Sequence, residues 1–470
     1  MPGLQPFLPL TATFGDPETA AIWSEGAAIE AWCAVEVALA EVQAGLGDIP
    51  VAGADLIREW ADPRRVDRDA LRDGMRTVGY PILPLLVQLR DGAPPAVTAS
   101  LHWGATTQDI MDTALAMILA RSLDRLDVLV VELGDGLASL AATHRSTVMA
   151  GRTHDQLAVP TTLGAKLAVF LVELARGRER ILRGRSGVAV VSLFGAGGTA
   201  AALGPRSVAV RAGVAARLGL ADADVPWHVA RDGLAEAAFA CATVAATAGR
   251  LAREVIALSR SEVDELREVG GHHRGASSTM PQKANPISSE TTVGFSMIAA
   301  AQVPVMLAAM QPRHERAAGE WQAEWDALPV VSTAAAGAVA NALEVARGIR
   351  VDPARMAANL GLDGGMIMAE AAMMALAPIV GRGPAHDLVY VACSLAREEG
   401  RTLIDALQAT LDPGLVSRLP PMGDLLAPSA YLGEAVAIAD RGVAAWRDRS
   451  VRAAGLSTSP EAMSVRRGTG

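Results

Sequence analysis

Lysine is nearly missing from this 470-residue chain: of 42 basic residues only Lys166 and Lys283 are lysines, and arginine supplies the rest. Arginine stands at nearly every position where any cation suffices, so Lys283, in a polar loop stretch, points to a position where geometry decides. A compact ammonium with three rotatable donors fits a turn crowded by backbone amides where a planar guanidinium does not. Aromatic residues make up only 4 % of the chain, and there are three cysteines. Cys33, Cys241 and Cys393 are too few and too scattered for a disulfide framework or a metal cluster, and a reducing cytoplasm suits them. Positive charge is in deficit as well. A net charge of −9 leaves no basic footprint for nucleic acid or an anionic membrane surface, so an anionic ligand must be captured by a local site. Met1 to Leu10 lack a basic region followed by an apolar run, and charge interrupts the alanine-rich stretches, so neither an export signal nor a membrane span is expected. The eight histidines lack ligand spacing and no phosphate-loop glycine pattern occurs, so no metal or organic cofactor is expected.

What the chain has in abundance is Ala, Leu and Val, within a hydrophobic content of 51 %. That composition favours closely spaced helices over sheets, and the length implies more than one packed region. Apolar residues recur at helical spacing over 18–45, then over 109–144, 160–185, 206–219, 230–268, 287–311 and 328–349. Proline and glycine breaks interrupt 62–95, and they return after Val351-Asp352-Pro353. The expected fold is all-α: an N-terminal helical domain over 1–105, a central long-helix bundle with the catalytic loop over 106–350, and a small C-terminal helical domain over 351–450. Residues 451–470 lack apolar periodicity and are expected to be a disordered tail.

Chemistry concentrates in three segments. Residues 275–290 combine a serine pair, Lys283 and Asn285 with almost no hydrophobes, the composition of a functional loop rather than of core. His102 to Asp109 place Thr106, Thr107 and Gln108 at the start of a long helix, where free backbone donors and the positive dipole end attract a carboxylate. Gly151-Arg152-Thr153-His154-Asp155 precede a proline-started helix.

The string Ser277-Ser278-Thr279-Met280-Pro281-Gln282-Lys283-Ala284-Asn285-Pro286 resembles the signature loop of the aspartase/fumarase superfamily. Ala276 stands where many members have glycine. The other two segments are similar to the superfamily's substrate-binding segments, with Asp155 where a glycine is often found. The resemblance extends from about residue 20 to about 445. Asn359, the 365–370 run, Trp227-His228 and Arg231-Asp232 bring it nearer to the bacterial 3-carboxy-cis,cis-muconate cycloisomerase branch than to fumarase or argininosuccinate lyase. The resemblance implies three helical domains and a homotetramer whose active sites are each shared among subunits. It also implies a small di- or tricarboxylate substrate.

It implies, further, that Ser277 is the base in its alkoxide form. A hydroxyl is an extremely poor base, each pKa unit amounting to ~1.4 kcal/mol, so Lys283 and the loop amides are the available stabilisers. Thr106, Thr107, Gln108, Arg152, Thr153, Ser278, Lys283 and Asn285 inherit substrate-binding roles. Arg316, preferred to Arg313 because the family pattern has the Glu-Arg pair, is suited to bidentate capture of a second carboxylate. His154 is suited to protonating or orienting a leaving group. Three functions compete: a lyase that forms fumarate from a 2-substituted succinate, with nitrosuccinate or an N-substituted aspartate as candidates; a lactonising cycloisomerase; and a non-catalytic homologue that keeps the fold. Intact Ser277, Lys283, Asn285 and His154 argue against the last, and His154 favours the first, because bacterial cycloisomerases commonly carry leucine there.

Overall fold

The computed structural model describes residues 13–268 and 273–457. Its helices and strands, numbered in chain order, begin with six N-terminal helices: α1 (Pro17–Ile22), α2 (Glu25–Leu46), α3 (Val51–Trp60), α4 (Arg68–Val78), α5 (Ile82–Arg90) and α6 (Pro95–Ser100). The central region contains α7 (Thr107–Thr143), strands β1 (Val148–Thr153) and β2 (Gln156–Thr162), α8 (Leu163–Val188), α9 (Ser207–Leu218), α10 (Asp232–Leu258), β3 (Leu266–Arg267), α11 (Ile287–Ala309) and α12 (Glu320–Gly348). After β4 (Arg350–Val351) come α13 (Pro353–Asn359), α14 (Ala369–Val380), α15 (Arg382–Glu399) and α16 (Leu403–Thr410), then the short α17 (Pro413–Val416) and α18 (Met422–Leu425), and finally α19 (Ala435–Ser457).

Small side chains set the bundle's tight spacing. Buried alanines such as Ala238, Ala245, Ala335 and Ala338 line α10 and α12. At Gly249 on α10 a Cβ would lie 2.3 Å from Ser296 Oγ on α11, so only glycine lets those two axes approach. The main core joins α7, α8, α10 and α12 through Leu126, Leu133, Leu171, Leu251 and Val339. A second core, around Ile29, Ile57, Leu85 and Ile110, welds the N-terminal helices to the start of α7. A third, around Leu376, Ala392 and Leu407, serves the C-terminal helices.

The bundle has two chemically distinct ends. At one, Arg231 beside the N-terminus of α10 bonds Asp112 on α7 at 2.8 Å and also pairs with Glu324 on α12, so three helix beginnings meet there. At the other, β1 follows the C-terminus of α7, Arg152 on β1 pairs with Glu265 just after α10, and Leu266 and Val351 are partners in the small sheet.

Some expectations are corrected. The single helix expected over 18–45 is broken at Trp23, because Ser24 caps α2 by accepting from Ala27 N at 3.1 Å. The helix expected to reach 268 ends at Leu258, and residues 266–267 pair as a strand instead. The one expected from 328 begins at Glu320 and continues through Pro329. Residues 148–162 form a hairpin where no strand was anticipated. Charge does not, after all, break up every long apolar run: α10, α11 and α12 are each long and apolar enough to cross a membrane by length and composition. Their charges sit toward the ends, and the apolar windows of α10 and α12 are 72 % buried in the bundle, against 33 % for α11. Met1 to Leu10 lie outside the described residues, as do residues 458–470 of the expected tail, whereas α19 continues to Ser457.

Candidate active site

The signature loop is a closed, solvent-facing turn. Ala276 and Ala284 form an antiparallel bridge, and Asn285 donates to Gly275 O from its backbone N at 2.9 Å and from Nδ2 at 3.0 Å. Gly275 sits at φ 66°, where a Cβ would come within 2.4 Å of Asn285 O, so this closure requires glycine. Asn285, expected to touch substrate, forms a strut across the loop's neck through these two bonds. Inside the loop, Ser277 Oγ accepts from Met280 N at 3.1 Å and from Thr279 N at 3.3 Å. Two donors aimed at one hydroxyl oxygen favour its anionic form. Ser278 is exposed and has no such pair of donors among the described residues. The Lys283 ammonium is exposed and without an ion-pair partner among the described residues. Below the loop, Glu268 accepts from Ser288 N (3.1 Å) and Ser289 N (2.7 Å), a carboxylate cap that anchors the start of α11.

At the start of α7, Thr106 and Thr107 are half-buried and Gln108 is fully buried. Asp109 accepts from Thr106 N at 3.0 Å, Phe194 N at 2.9 Å and Gly195 N at 2.9 Å, and lies 2.8 Å from His228 Nε2. It therefore locks the 194–195 turn and His228 against the helix start. Gln108 Nε2 donates to Asp112 at 3.0 Å and to His228 O at 2.8 Å, while its Oε1 accepts from Arg316 Nη1 at 2.6 Å. Arg316 Nη2 reaches Ala196 O at 2.9 Å. Gln108, expected on the substrate, holds Arg316 through that bond, and Arg313 remains exposed. Beneath them Arg231, only 3 % exposed, is held between Asp112 and Glu324. Burial raises the Glu324 pKa against the lowering pull of Arg231. Nearby, His102 Nδ1 lies 2.6 Å from Glu36 Oε1. Burial alone would lower the His102 pKa, but the Glu36 and Asp109 charges outweigh it and the pKa is raised.

His154 and Asp155 form the two-residue tip of the β1–β2 hairpin, between the paired Thr153 and Gln156. Both have positive φ, 51° and 61°, the mirror-image turn that suits a hairpin's twist. His154 is exposed and makes no hydrogen bond among the described residues. Thr153 is exposed beside it, and Arg152, expected to bind substrate, pairs with Glu265 at 2.6 Å and braces the hairpin. Asn359 Nδ2 bonds the same Glu265 at 2.7 Å.

These side chains fall into two groups. Thr106, Thr107, Gln108 and Arg316 belong to one end of the bundle; Thr153, His154, Ser277, Ser278, Lys283 and Asn285 belong to the other. Helix α7, at 37 residues, separates the ends by ~55 Å at 1.5 Å per residue. Among the described residues no hydrogen bond or ion pair joins the two groups. Sequence reasoning assigned no role to Glu36, Glu265, Glu268, Asp109 or Glu324. The available signal was a carboxylate inside an apolar helical segment, as at Glu36 between Val35 and Val37.

A family model described as Lyase matches residues 20–303, and one described as Adenylosuccinate lyase C-terminus matches residues 365–442. The chain is 38 % identical over 427 residues to a 3-carboxy-cis,cis-muconate cycloisomerase of Pseudomonas aeruginosa, covering 90 % of this chain and 93 % of that one. It is 36 % identical over 444 residues to a nitrosuccinate lyase of Streptomyces davaonensis, covering 91 % and 92 %. A solved fumarate lyase from Mesorhizobium sp. BNC1 superposes with a TM-score of 0.84 at 38 % identity, covering 92 % of this chain and 98 % of that one.

Proposed function

Because the chain belongs to the lyase family, within the aspartase/fumarase superfamily, we propose that it is a cytoplasmic enzyme that removes a group from a small 2-substituted succinate and leaves fumarate. The bond broken is C–N, as in release of nitrite from nitrosuccinate or of an amine from an N-substituted aspartate. The observation that carries this reading is His154: an exposed imidazole, unpartnered among the described residues and held at a hairpin tip, on the same end of the bundle as the Ser277 loop. Ser277 takes the proton from the carbon beside a carboxylate, and the Thr279 and Met280 N–H groups support its alkoxide. Lys283 offsets the second negative charge that develops on that carboxylate, while Arg316 with Thr106 and Thr107 holds the other carboxylate. His154 then protonates or orients the departing group.

One chain cannot bring these groups to a single substrate across ~55 Å of α7, which supports a homotetramer with shared sites. The exposed apolar face of α11, including Met297 at 61 % and Leu307 at 53 % exposure, supports the same assembly.

The second reading is a lactonising cycloisomerase, favoured by the whole-chain likeness to the Pseudomonas enzyme. Newly formed fumarate, followed by absorbance against a panel of 2-substituted succinates and carboxymuconate, separates the two. The expected result is fumarate from at least one succinate. His154→Leu should then impair poor leaving groups by ~10²–10⁴-fold and nitrite least, since nitrite departs readily as an anion. Wild-type protein active on carboxymuconate and silent on every succinate would establish the cycloisomerase reading instead.

A further inference from the structure

The hairpin that carries His154 changes character halfway along its length. In the stem Met149 and Ala150 are fully buried, Ala150 within the C-terminal core, and that packing fixes the stem. The pairing then slips by one residue. Gly151 faces Val159 while Arg152 faces Leu157, which leaves Ala158 bulged. A bulge bends and twists its strand, so the stem does not by itself dictate where the tip points. Beyond it Thr153, His154, Asp155 and Gln156 are all exposed, and none of their side chains makes a hydrogen bond or ion pair among the described residues.

Two side chains fix the tip from its base. Leu157 lies half-buried against the C-terminal core, an apolar contact with little directional content. Arg152 supplies the direction. Its Nη2 donates to Glu265 Oε1 at 2.6 Å and its Nη1 to Glu265 Oε2 at 3.1 Å, a two-pronged match of planar groups that sets rotation as well as distance.

Glu265 is itself immobilised. It is fully buried; its backbone N donates to Leu258 O at 2.9 Å, its O accepts from Asp352 N at 3.1 Å, and Asn359 Nδ2, at the end of α13, donates to Oε1 at 2.7 Å. Further along the same stretch Glu268 caps α11, where the Ser277 loop ends. The stretch from Glu265 to Glu268 is thus a common reference for hairpin and loop. We propose that Glu265 is a positioning residue: through Arg152 it aims the hairpin tip, and His154 with it, at the group that leaves the substrate. That Glu265 aims the tip stands on these contacts; that the aim serves a departing group rests on the lyase reading above.

The test uses the full-length protein. Arg152→Lys keeps a cation beside the buried carboxylate but loses the fork, so the chain should fold while the tip loses its direction. Tip order is read by electron paramagnetic resonance from a nitroxide attached through Gln156→Cys in a Cys393→Ser background, since Cys33 and Cys241 are buried. The spectrum is expected to sharpen in Arg152→Lys. Arg152→Met/Glu265→Met replaces the buried pair with apolar side chains, and Asn359 Nδ2 keeps its bond to Val263 O, so the melting temperature should hold while the spectrum sharpens again. In turnover, kcat for an N-alkyl aspartate, whose amine needs a proton to leave, should fall about 10²-fold in Arg152→Lys, while kcat for nitrosuccinate and both KM values hold. Equal losses of kcat on the two substrates would mean general disruption, and a raised KM would place Arg152 on the substrate. Either result overturns the proposal, as does a spectrum unchanged in both variants. A protein that forms no fumarate from any succinate sinks the lyase reading, and the spectrum alone then decides: sharpening in Arg152→Lys keeps Glu265 as the residue that aims the tip, and no change removes it.

Discussion

Arg316 and Gln108, 208 residues apart in the chain, meet at 2.6 Å, and that contact aims the guanidinium over the start of α7. Gln108 also donates to Asp112 and to His228 O, so its amide has no donor or acceptor idle. Gln108→Leu is therefore expected to have two effects. It frees Arg316, raising KM and lowering kcat/KM by roughly 10–100-fold, and it strands buried polar partners, costing ~1–3 kcal/mol of stability. Steady-state kinetics and urea denaturation read the two separately. A kinetic defect with full stability would place Gln108 in direct substrate contact.

Within the signature loop the two serines should behave differently. Ser277→Ala removes the hydroxyl that receives the Thr279 and Met280 N–H groups, and turnover should fall by ~10²–10⁴-fold while substrate still binds. Ser278→Ala should cost far less. Turnover that survived the first substitution but not the second would move the base to Ser278.

The two lysines make a controlled comparison. Lys166 pairs with Glu254 at 2.6 Å near the surface, where any cation serves, so Lys166→Arg should leave kcat and melting temperature almost unchanged. Lys283 stands exposed in a tight turn with its ammonium unpaired among the described residues, and Lys283→Arg should be nearly as damaging as Lys283→Ala. An active arginine variant at 283 would defeat the argument from geometry.

The proposed shared sites would make inactive chains complementary. Ser277→Ala and Arg316→Ala damage opposite ends of the bundle, so a subunit-exchanged mixture should recover up to roughly a quarter of wild-type activity through sites that draw an intact residue from each chain. The check is activity before and after exchange, with exchange itself demonstrated by mass. A mixture that exchanged subunits and stayed inactive would mean that each chain builds its own site.

Periodicity carried most of the helical fold, because alanine- and leucine-rich segments at 3.6-residue spacing have few other ways to bury themselves. The ends of those helices were less legible. Ser24 capping α2 and the 266–267 strand pairing are single local bonds that no period announces. The β1–β2 hairpin escaped because its tip is His154-Asp155 rather than the Asn-Gly that marks such turns. The three chemical segments could be read from residue type and resemblance. What each side chain does there could not: Arg152 meets Glu265 across 113 residues, and Gln108 meets Arg316 across 208. A partner so distant leaves no trace in local spacing. Asn285 shows the same limit at short range, since its role as a strut depends on Gly275 adopting positive φ.

The length of α7 works as a ruler. A loop absorbs an extra residue by bulging, but one residue inserted into a helix advances everything beyond it by ~1.5 Å and turns it by ~100°. Between Thr107 and Thr143 such an insertion would swing the His154 hairpin off the face that the proposed neighbouring chain reads while leaving each end intact in itself. Drift in chain length should therefore be tolerated in connections such as 219–231 and forbidden along α7. The catalytic part list would survive such a change, and the enzyme would not.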